Sequence, residues 1–582
     1  MSTADQEMEG GGSRRRGRGA GGVRMRPVPK GRQVDAAALA DVESVTADLA
    51  RRPDLLIEHL HRIQDRFGHV SVAHMAALAQ ILDLAQTEVY EVATFYHHFD
   101  VVRPGSAPPP PLTIRVCESI SCHLAGANRL LAELADRHTN VRVIAAPCVG
   151  RCEHAPVAVV GRNPVHAATV ASVEEAVLAD QVEPPPAEYE AYDAYRWAGG
   201  YTVLTDCVED RRDVDDIIAA VEAATLRGLG GAGFPTARKW KFVRSERKPR
   251  VLAINADEGE PGTFKDRYCL ERDPHRVIEG ALIAAWIVEA DDVFIYLRDE
   301  YAGIREILTR EIAALEADPP CRLPRIHLRR GAGAYICGEE TALIESIEGK
   351  RGEPRLRPPF PANAGVFGLP TLVQNVETAY WLRSILEDRL NRFGHEGRNG
   401  RTGQRLFSVS GRVQNPGVYA APNGITVRQL VDEFAGGMLP GHELYAYLPG
   451  GASGGILPAS LADIPLDFEI LAQYGCFIGS AAIVILSQHD SARDAAHNLM
   501  HFFAHESCGK CTPCRSGTAK SVELMRTNRW NLPLLNDLAQ VMTDASICGL
   551  GQAAPNPMKS VVRFFPHELE GIESHNSGGL QP

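Results

Sequence analysis

At 582 residues the chain is several times the length of one average domain, so about four domains are expected. Apolar residues at 45% and charged residues at 23% exclude wholesale disorder and fibrous architectures, and a formal charge of -12 excludes a nucleic-acid binder acting through its bulk surface. No long uncharged apolar run occurs and no apolar stretch backs the N-terminal arginines, so a cytoplasmic location, without membrane or nucleic-acid partners, is the expectation.

Residues 1–34 are rich in Gly and Arg and predict a disordered, solvated tail. From 35 to 108 the apolar residues Leu56, Ile57, Leu60, Ile63 and Phe67, then Met75, Leu78 and Leu82, recur near the helical period and predict a helical bundle, closed by the prolines Pro108 to Pro111. Residues 109–182 read strand, helix (Gly126 to His138), strand, strand, an order compatible with a thioredoxin-like sheet. Residues 183–211 read as a linker, with Tyr189, Tyr192, Tyr195 and Trp197 expected to pack on a neighbour. Helices and strands alternate over 212–404, the pattern of an α/β layer. Short strands with one clear helix make 405–490 a compact α+β module, and helical periodicity returns over 491–582. The expected fold class is therefore multidomain, α/β and α+β with two helical bundles.

Eight of the thirteen cysteines fall into two sets of four. Cys207, Cys269, Cys321, Cys337 and Cys476 are scattered and are expected to pack as small apolar residues. In ESCGKCTPCRSG, Cys508, Cys511 and Cys514 step at C-x2-C-x2-C, and Cys548 follows after a gap of 33 residues. Three thiolates on one tight loop with a distant fourth suit a 4Fe-4S cluster, whereas zinc prefers two separated pairs. The other set, Cys117, Cys122, Cys148 and Cys152, pairs C-x4-C with C-x3-C across 25 residues, each pair following a strand. That spacing admits a 2Fe-2S cluster or a zinc ribbon.

LRGLGGAGFPTARKW, residues 226–240, carries Gly228, Gly230, Gly231 and Gly233 ahead of the basic Lys239. It reads as a phosphate cradle or as a tight structural turn, and it lacks the fingerprints of standard dinucleotide and triphosphate loops. NADEGEPGTFKDR sets Asp257, Glu258 and Glu260 at the carboxyl end of a buried strand, where open α/β sheets bind ligands, although a solvated acidic turn reads the same way. GAGAYICGEE places Glu339 and Glu340 at a helix start, as helix N-terminal charge or as ligand contacts.

Together with PRLRPPFPA and QNVET, these segments closely resemble the flavin-bearing, NADH-oxidising subunit of respiratory complex I and its relatives in NAD-reducing hydrogenases and NAD-dependent formate dehydrogenases, over about 200–570. Residues 50–180, with IQDRFGHVS and VATFYHHF, resemble the thioredoxin-like 2Fe-2S subunit of the same assemblies. The resemblance implies FMN at Arg227, Gly228, Gly230, Lys239, Asn255, Asp257, Glu258, Gly338, Glu339 and Asn375, with Tyr335 beside it. It implies NAD stacked on Phe234, Phe242 and Phe360, with Glu260 and Glu340 near its ribose and amide. It favours clusters over zinc for both cysteine sets and a ubiquitin-like fold for 405–490. Leu229 stands where complex I relatives have arginine, and Gln374 where many have asparagine.

The segments DASICGLGQAAPNP and PGGASGGILPAS look most like the beta subunit of formate dehydrogenase. The implied protein is its NAD-reducing (diaphorase) subunit, taking electrons from formate oxidised on a large molybdenum or tungsten pterin partner with further Fe-S clusters. Electrons would pass through the 4Fe-4S cluster and FMN to NAD, with the 2Fe-2S cluster as a side store. A flavin is needed because NADH exchanges electrons in pairs and clusters singly; no side chain need act as acid or base, so none is assigned as catalytic. The alternatives are a hydrogenase diaphorase and a zinc-stabilised nucleic-acid-binding protein, which leaves the glycine and acidic segments without purpose.

Overall fold

Arg250–Ala256 is apolar along nearly its whole length and buried at six of its seven positions, as expected of a strand covered on both faces. In the computed structural model, which describes residues 32–137, 140–388, 392–395 and 397–570, it lies in a four-stranded parallel sheet. The order across that sheet is Thr371–Asn375, Arg250–Ala256, Ala290–Leu297, Arg325–Arg330. Alternation along the strands splits the core in two. Leu252, Ile254, Val293, Ile295 and Leu372 pack with the helices Pro274–Val288, Ala302–Ala317 and Val376–Glu387. Val251, Ala253, Phe294, Tyr296 and Val373 share a continuous core with the N-terminal and C-terminal helices.

The N-terminal helices are Ala36–Thr46, Leu56–Phe67, Val72–Leu82 and Gln86–Phe95. Asp35 and Ser71 cap two of them by accepting from backbone N–H groups, and Gly68, at φ 73°, ends the second. Arg329 at the sheet edge reaches back to Glu58 (2.8 Å) and Asp54 (3.0 Å), so this bundle is seated on the α/β layer as well as on its sequence neighbour. Of the expected tail, residues 1–31 lie outside the described residues. Two of its last three do not behave as free tail: Arg32 exchanges backbone hydrogen bonds with the Gln86 side chain, and Val34 packs on the core.

Arg142–Ala146, Thr113–Cys117, Ala158–Val160 and Asn163–Val165 form a second sheet in that order, the first pair parallel and the rest antiparallel. The helix expected from Gly126 to His138 spans Ala127–Ala135, with Gly126 at φ 90° ahead of it. The expected linker contains two short helices instead, Tyr192–Trp197 and Thr202–Val208. Tyr192 and Tyr195 share a helix face and are buried, and Tyr195 donates to Glu279 at 2.5 Å. Trp197, two residues further round, is 93% exposed and does not pack as expected.

The third sheet is five-stranded and mixed: Gly417–Pro422, Gln404–Gly411, Ala482–Ser487, Leu444–Leu448 and Leu457–Pro458, with the helix Val427–Glu433 sharing its core. The C-terminal bundle has the helices Ala492–His505, Thr512–Met525, Leu532–Ala545, Gly549–Ala553 and Asn556–Phe564; residues 571–582 lie outside the described residues. Among the described residues no helix is long and apolar enough to cross a membrane.

Candidate cofactor and cluster site

The glycine-rich segment closes on itself: Gly228 N–H donates to Phe234 O at 2.8 Å and Gly233 N–H to Gly228 O at 3.2 Å. The helix Thr236–Ser245 then leads away from the loop. A side chain at Gly230 would stand 3.2 Å from Asn375, and one at Gly233, where φ is 65°, would strike the Phe468 ring at 2.6 Å. Leu229 is buried, and its N–H donates to Thr378 Oγ1 at 2.9 Å.

The loop is therefore moored at the carboxyl end of Thr371–Asn375. There Asn375 lies in register with Asn255. Asn255 Nδ2 donates to Gly338 O at 2.8 Å, and a side chain at Gly338 would stand 3.2 Å from Asp257 O. Asn375 caps the following helix and donates to Asp266 at 2.7 Å. Four segments, joined by contacts across as many as 149 residues, thus converge on one sheet edge, the edge at which parallel α/β sheets bind ligands.

The acidic residues divide by what occupies their oxygens. Glu258 accepts from Asp266 N–H (2.8 Å), Arg267 N–H (3.0 Å) and Tyr301 OH (2.9 Å), so its carboxylate caps the helix Lys265–Arg272. Burial first, and the neighbouring Asp266 charge second, push it up to about 7. Glu339 accepts from Thr341 and Ala342 N–H, the helix N-cap role open to it from sequence. Glu340 pairs with Lys239. Glu260 accepts from Ser453 N–H at 2.8 Å and from Tyr335 OH, and burial raises it. Asp257 Oδ2 is buried without a partner, and burial holds that carboxyl well above the usual range.

Phe234 and Phe242 are exposed, their rings 6.3 Å apart with the Arg238 guanidinium over both. Phe360, 53% exposed, stands on a segment tied to that helix through Asn363 and Glu246 at 2.8 Å. Large aromatic faces left in water beside a charged crevice are the kind of surface on which a planar ring system stacks. Arg227, by contrast, bends back toward Gly233 O and the Phe468 ring.

Cys117 ends a strand, Cys122 sits on the helix Ile120–Leu124, and Cys148 and Cys152 follow the strand Arg142–Ala146. All four are buried and unoxidised, with Cys148 and Cys152 sulfurs 3.4 Å apart. The thiols of Cys117 and Cys152, and more weakly the Arg298 guanidinium, hold Cys148 well below the ordinary thiol range. Cys508 and Cys511 precede the helix Thr512–Met525, Cys514 lies in its first turn, and Cys548 immediately precedes the helix Gly549–Ala553. Burial pushes Cys514 up to about 11 and Cys548 up to about 12, and each feels the charge of Cys508. Each set is a group of four free thiols carried on neighbouring loops and helix starts, buried in the first set and half-buried to buried in the second, and four thiols are a donor set that iron fits. The five scattered cysteines pack in the cores, Cys321 at the margin.

Both nests border the same edge. Arg298 donates to Cys148 O (2.7 Å) and to Glu258 O, while Glu506, two residues before Cys508, accepts from Tyr335 N–H at 3.0 Å. Arg298, Ser453 and Glu506 are absent from the residues singled out in the sequence. Ser453 and Glu506 lie inside the segments PGGASGGILPAS and ESCGKCTPCRSG, and Arg298 leaves its trace as a cation directly after the apolar strand DVFIYL.

Four family models match the chain: the Nuo51 FMN-binding domain over residues 221–383, the thioredoxin-like 2Fe-2S ferredoxin over 42–180, the NADH-ubiquinone oxidoreductase-F iron-sulfur binding region over 494–571, and the SLBB domain over 406–457. A NADH-quinone oxidoreductase F-type subunit of Rhizobium meliloti is 40% identical over 412 residues, covering 68% of this chain and 97% of its own. The mitochondrial NADH-ubiquinone oxidoreductase 51 kDa subunit of Neurospora crassa is 41% identical over 377 residues, covering 61% of this chain and 76% of its own. A crystal structure of an NAD+-reducing NiFe hydrogenase in the H2-reduced state superposes with a TM-score of 0.79 at 32% identity, over 90% of this chain and 95% of that one.

Proposed function

This chain belongs to the family of F-type NADH-quinone oxidoreductase subunits, joined in one polypeptide to a thioredoxin-like 2Fe-2S domain, and we propose that it is the NAD-reducing subunit of a cytoplasmic NAD-dependent formate dehydrogenase. It is an NADH-dependent oxidoreductase (diaphorase) subunit, and its cofactors are FMN, NAD, a 2Fe-2S cluster and a 4Fe-4S cluster. The observation that carries the reading is the meeting of both cysteine nests and three glycine and acidic segments at one sheet edge.

FMN, when bound, supplies the exchange between a hydride's electron pair and single electrons. In our reading the Gly228–Gly230 turn, Asn255, Asn375 and Gly338 form the bed for it, and Phe234, Phe242 and Phe360 hold the nicotinamide nucleotide. Lys239 at the flavin and Glu340 at the nucleotide are then the charged pair that joins the two sites. Glu260, fixed by Ser453 and Tyr335, presents a positioned carboxyl without donating a proton to the reaction. Arg298 and Glu506 tie each cluster loop to the flavin bed, which keeps the electron-transfer distances fixed.

Formate as the electron source, through a pterin partner, is supported by the likeness of DASICGLGQAAPNP and PGGASGGILPAS to formate dehydrogenase sequences. The hydrogenase reading is supported by the structural likeness over 90% of the chain. Anaerobic purification of the assembled complex decides between them. We expect formate, and not H2, to drive NAD+ reduction, and NADH alone to reduce a dye. Hydrogen-driven reduction would replace formate with hydrogen, and a flavin- and iron-replete preparation inert to NADH would overturn the whole reading.

A further inference from the structure

Beside Tyr335, three metal-binding groups from opposite ends of the chain meet. His97 lies on the turn after the helix Gln86–Phe95, and His505 and Glu506 close the helix Ala492–His505. One donor atom from each lies within 4.8 Å of the other two. The imidazole centroids are 4.4 Å apart, and His505 Nδ1 lies 3.3 Å from Glu506 Oε1. Glu506 is buried, and its other oxygen is fixed by Tyr335 N–H, which leaves Oε1 turned toward the histidines. His97 and His505 are exposed, so an ion has a path in and the rings have room to rotate.

We propose that His97, His505 and Glu506 form a binding site for a zinc-class divalent cation that pins the N-terminal bundle to the C-terminal cluster bundle. Two imidazoles and one carboxylate are a common zinc donor set, with a water in the fourth position. Closing onto a tetrahedral ion draws the donors in by about 1 Å, within the reach of two exposed rings. Glu506 serves as a bidentate bridge, one oxygen holding the Tyr335 backbone and the other the metal.

The other such group among the described residues, His61, His98 and Asp299, lacks this character. Its carboxylate already receives Arg330 at 2.6 Å and Arg305 at 3.5 Å, and guanidinium groups on the ligand oppose a second cation.

The test is zinc titration of the anaerobically purified holoenzyme by calorimetry, with zinc and iron counted after gel filtration. One zinc per chain with full iron retention is expected, weakened by at least about tenfold in His97→Asn and in His505→Asn. His501→Asn, one helical turn away and outside the donor set, should bind zinc as the parent does. Absence of binding, equal binding by the His97→Asn/His505→Asn double variant, or zinc uptake matched by iron loss would each overturn the site.

Discussion

Glu258 shows how much one carboxyl's surroundings decide. Its pKa is pushed up to about 7 by burial, and by Asp266 after that, so between the ordinary glutamate value and about pH 7 the folded chain holds a proton that the unfolded chain has lost. The native state then binds more protons, and stability falls as pH rises through that window. The contribution is complete below the ordinary glutamate value and gone above about 7, about 3 kcal/mol at most. Thermal unfolding between pH 5 and 8 should therefore show a downward slope that flattens in Glu258→Gln. Parallel curves for parent and variant would remove Glu258 as the source. Glu260 depends on its neighbours in another way: a side chain at Gly451 would come within 2.7 Å of its Cγ, at a φ of 78°. Gly451→Ala should lower the melting temperature, the left-handed backbone alone costing about 1 kcal/mol, and should raise KM for NADH more than it lowers kcat.

At the scale of the element, the glycine-rich loop separates structural from ligand roles. Gly233→Ala meets the Phe468 ring at 2.6 Å with φ at 65°, whereas Gly228→Ala meets nothing nearer than Phe234 O at 3.6 Å. The first substitution should destabilise the protein by about 1–3 kcal/mol. The second should leave stability within about 0.5 kcal/mol but reduce the FMN retained per chain, measured by fluorescence after release. Full flavin content in Gly228→Ala would remove that turn from the flavin bed. This loop also marks how far the sequence can be read. Its glycines, the apolar strand VLAI and the cysteine spacings announce themselves because each is a local pattern with a local physical cause. The partners that give those patterns meaning are remote: Ser453 lies 193 residues from Glu260, and Glu506 171 residues from Tyr335. Nor can spacing alone decide that Glu258 and Glu339 cap helices, because helix N-termini and ligand sites draw on the same carboxylates. Trp197 misleads for the opposite reason, an aromatic residue expected to be buried on composition whose helical phase turns it outward.

For the whole molecule the question is what couples the 2Fe-2S domain to the flavin bed, since they come from separate folds. Arg298 is one link, beside Arg151 to Glu271 at 2.9 Å and Arg267 to Gly150 O at 2.8 Å. It is 5% exposed, pairs with Glu300 at 2.8 Å, and donates to backbone oxygens on both sides, at Cys148 and Glu258. A buried guanidinium beside a cluster ligand stabilises the more negative, reduced cluster and so raises its midpoint potential. Arg298→Ala removes that charge and should lower the 2Fe-2S midpoint by about 60 mV, the one-electron equivalent of about 1.4 kcal/mol, read by potentiometric titration with EPR detection. Arg298→Lys retains the charge without the planar fork, so it should recover most of the potential while still loosening the cluster loop. If both variants titrate with the parent, Arg298 acts as a mechanical tie alone, and the coupling of the two domains owes nothing to its charge.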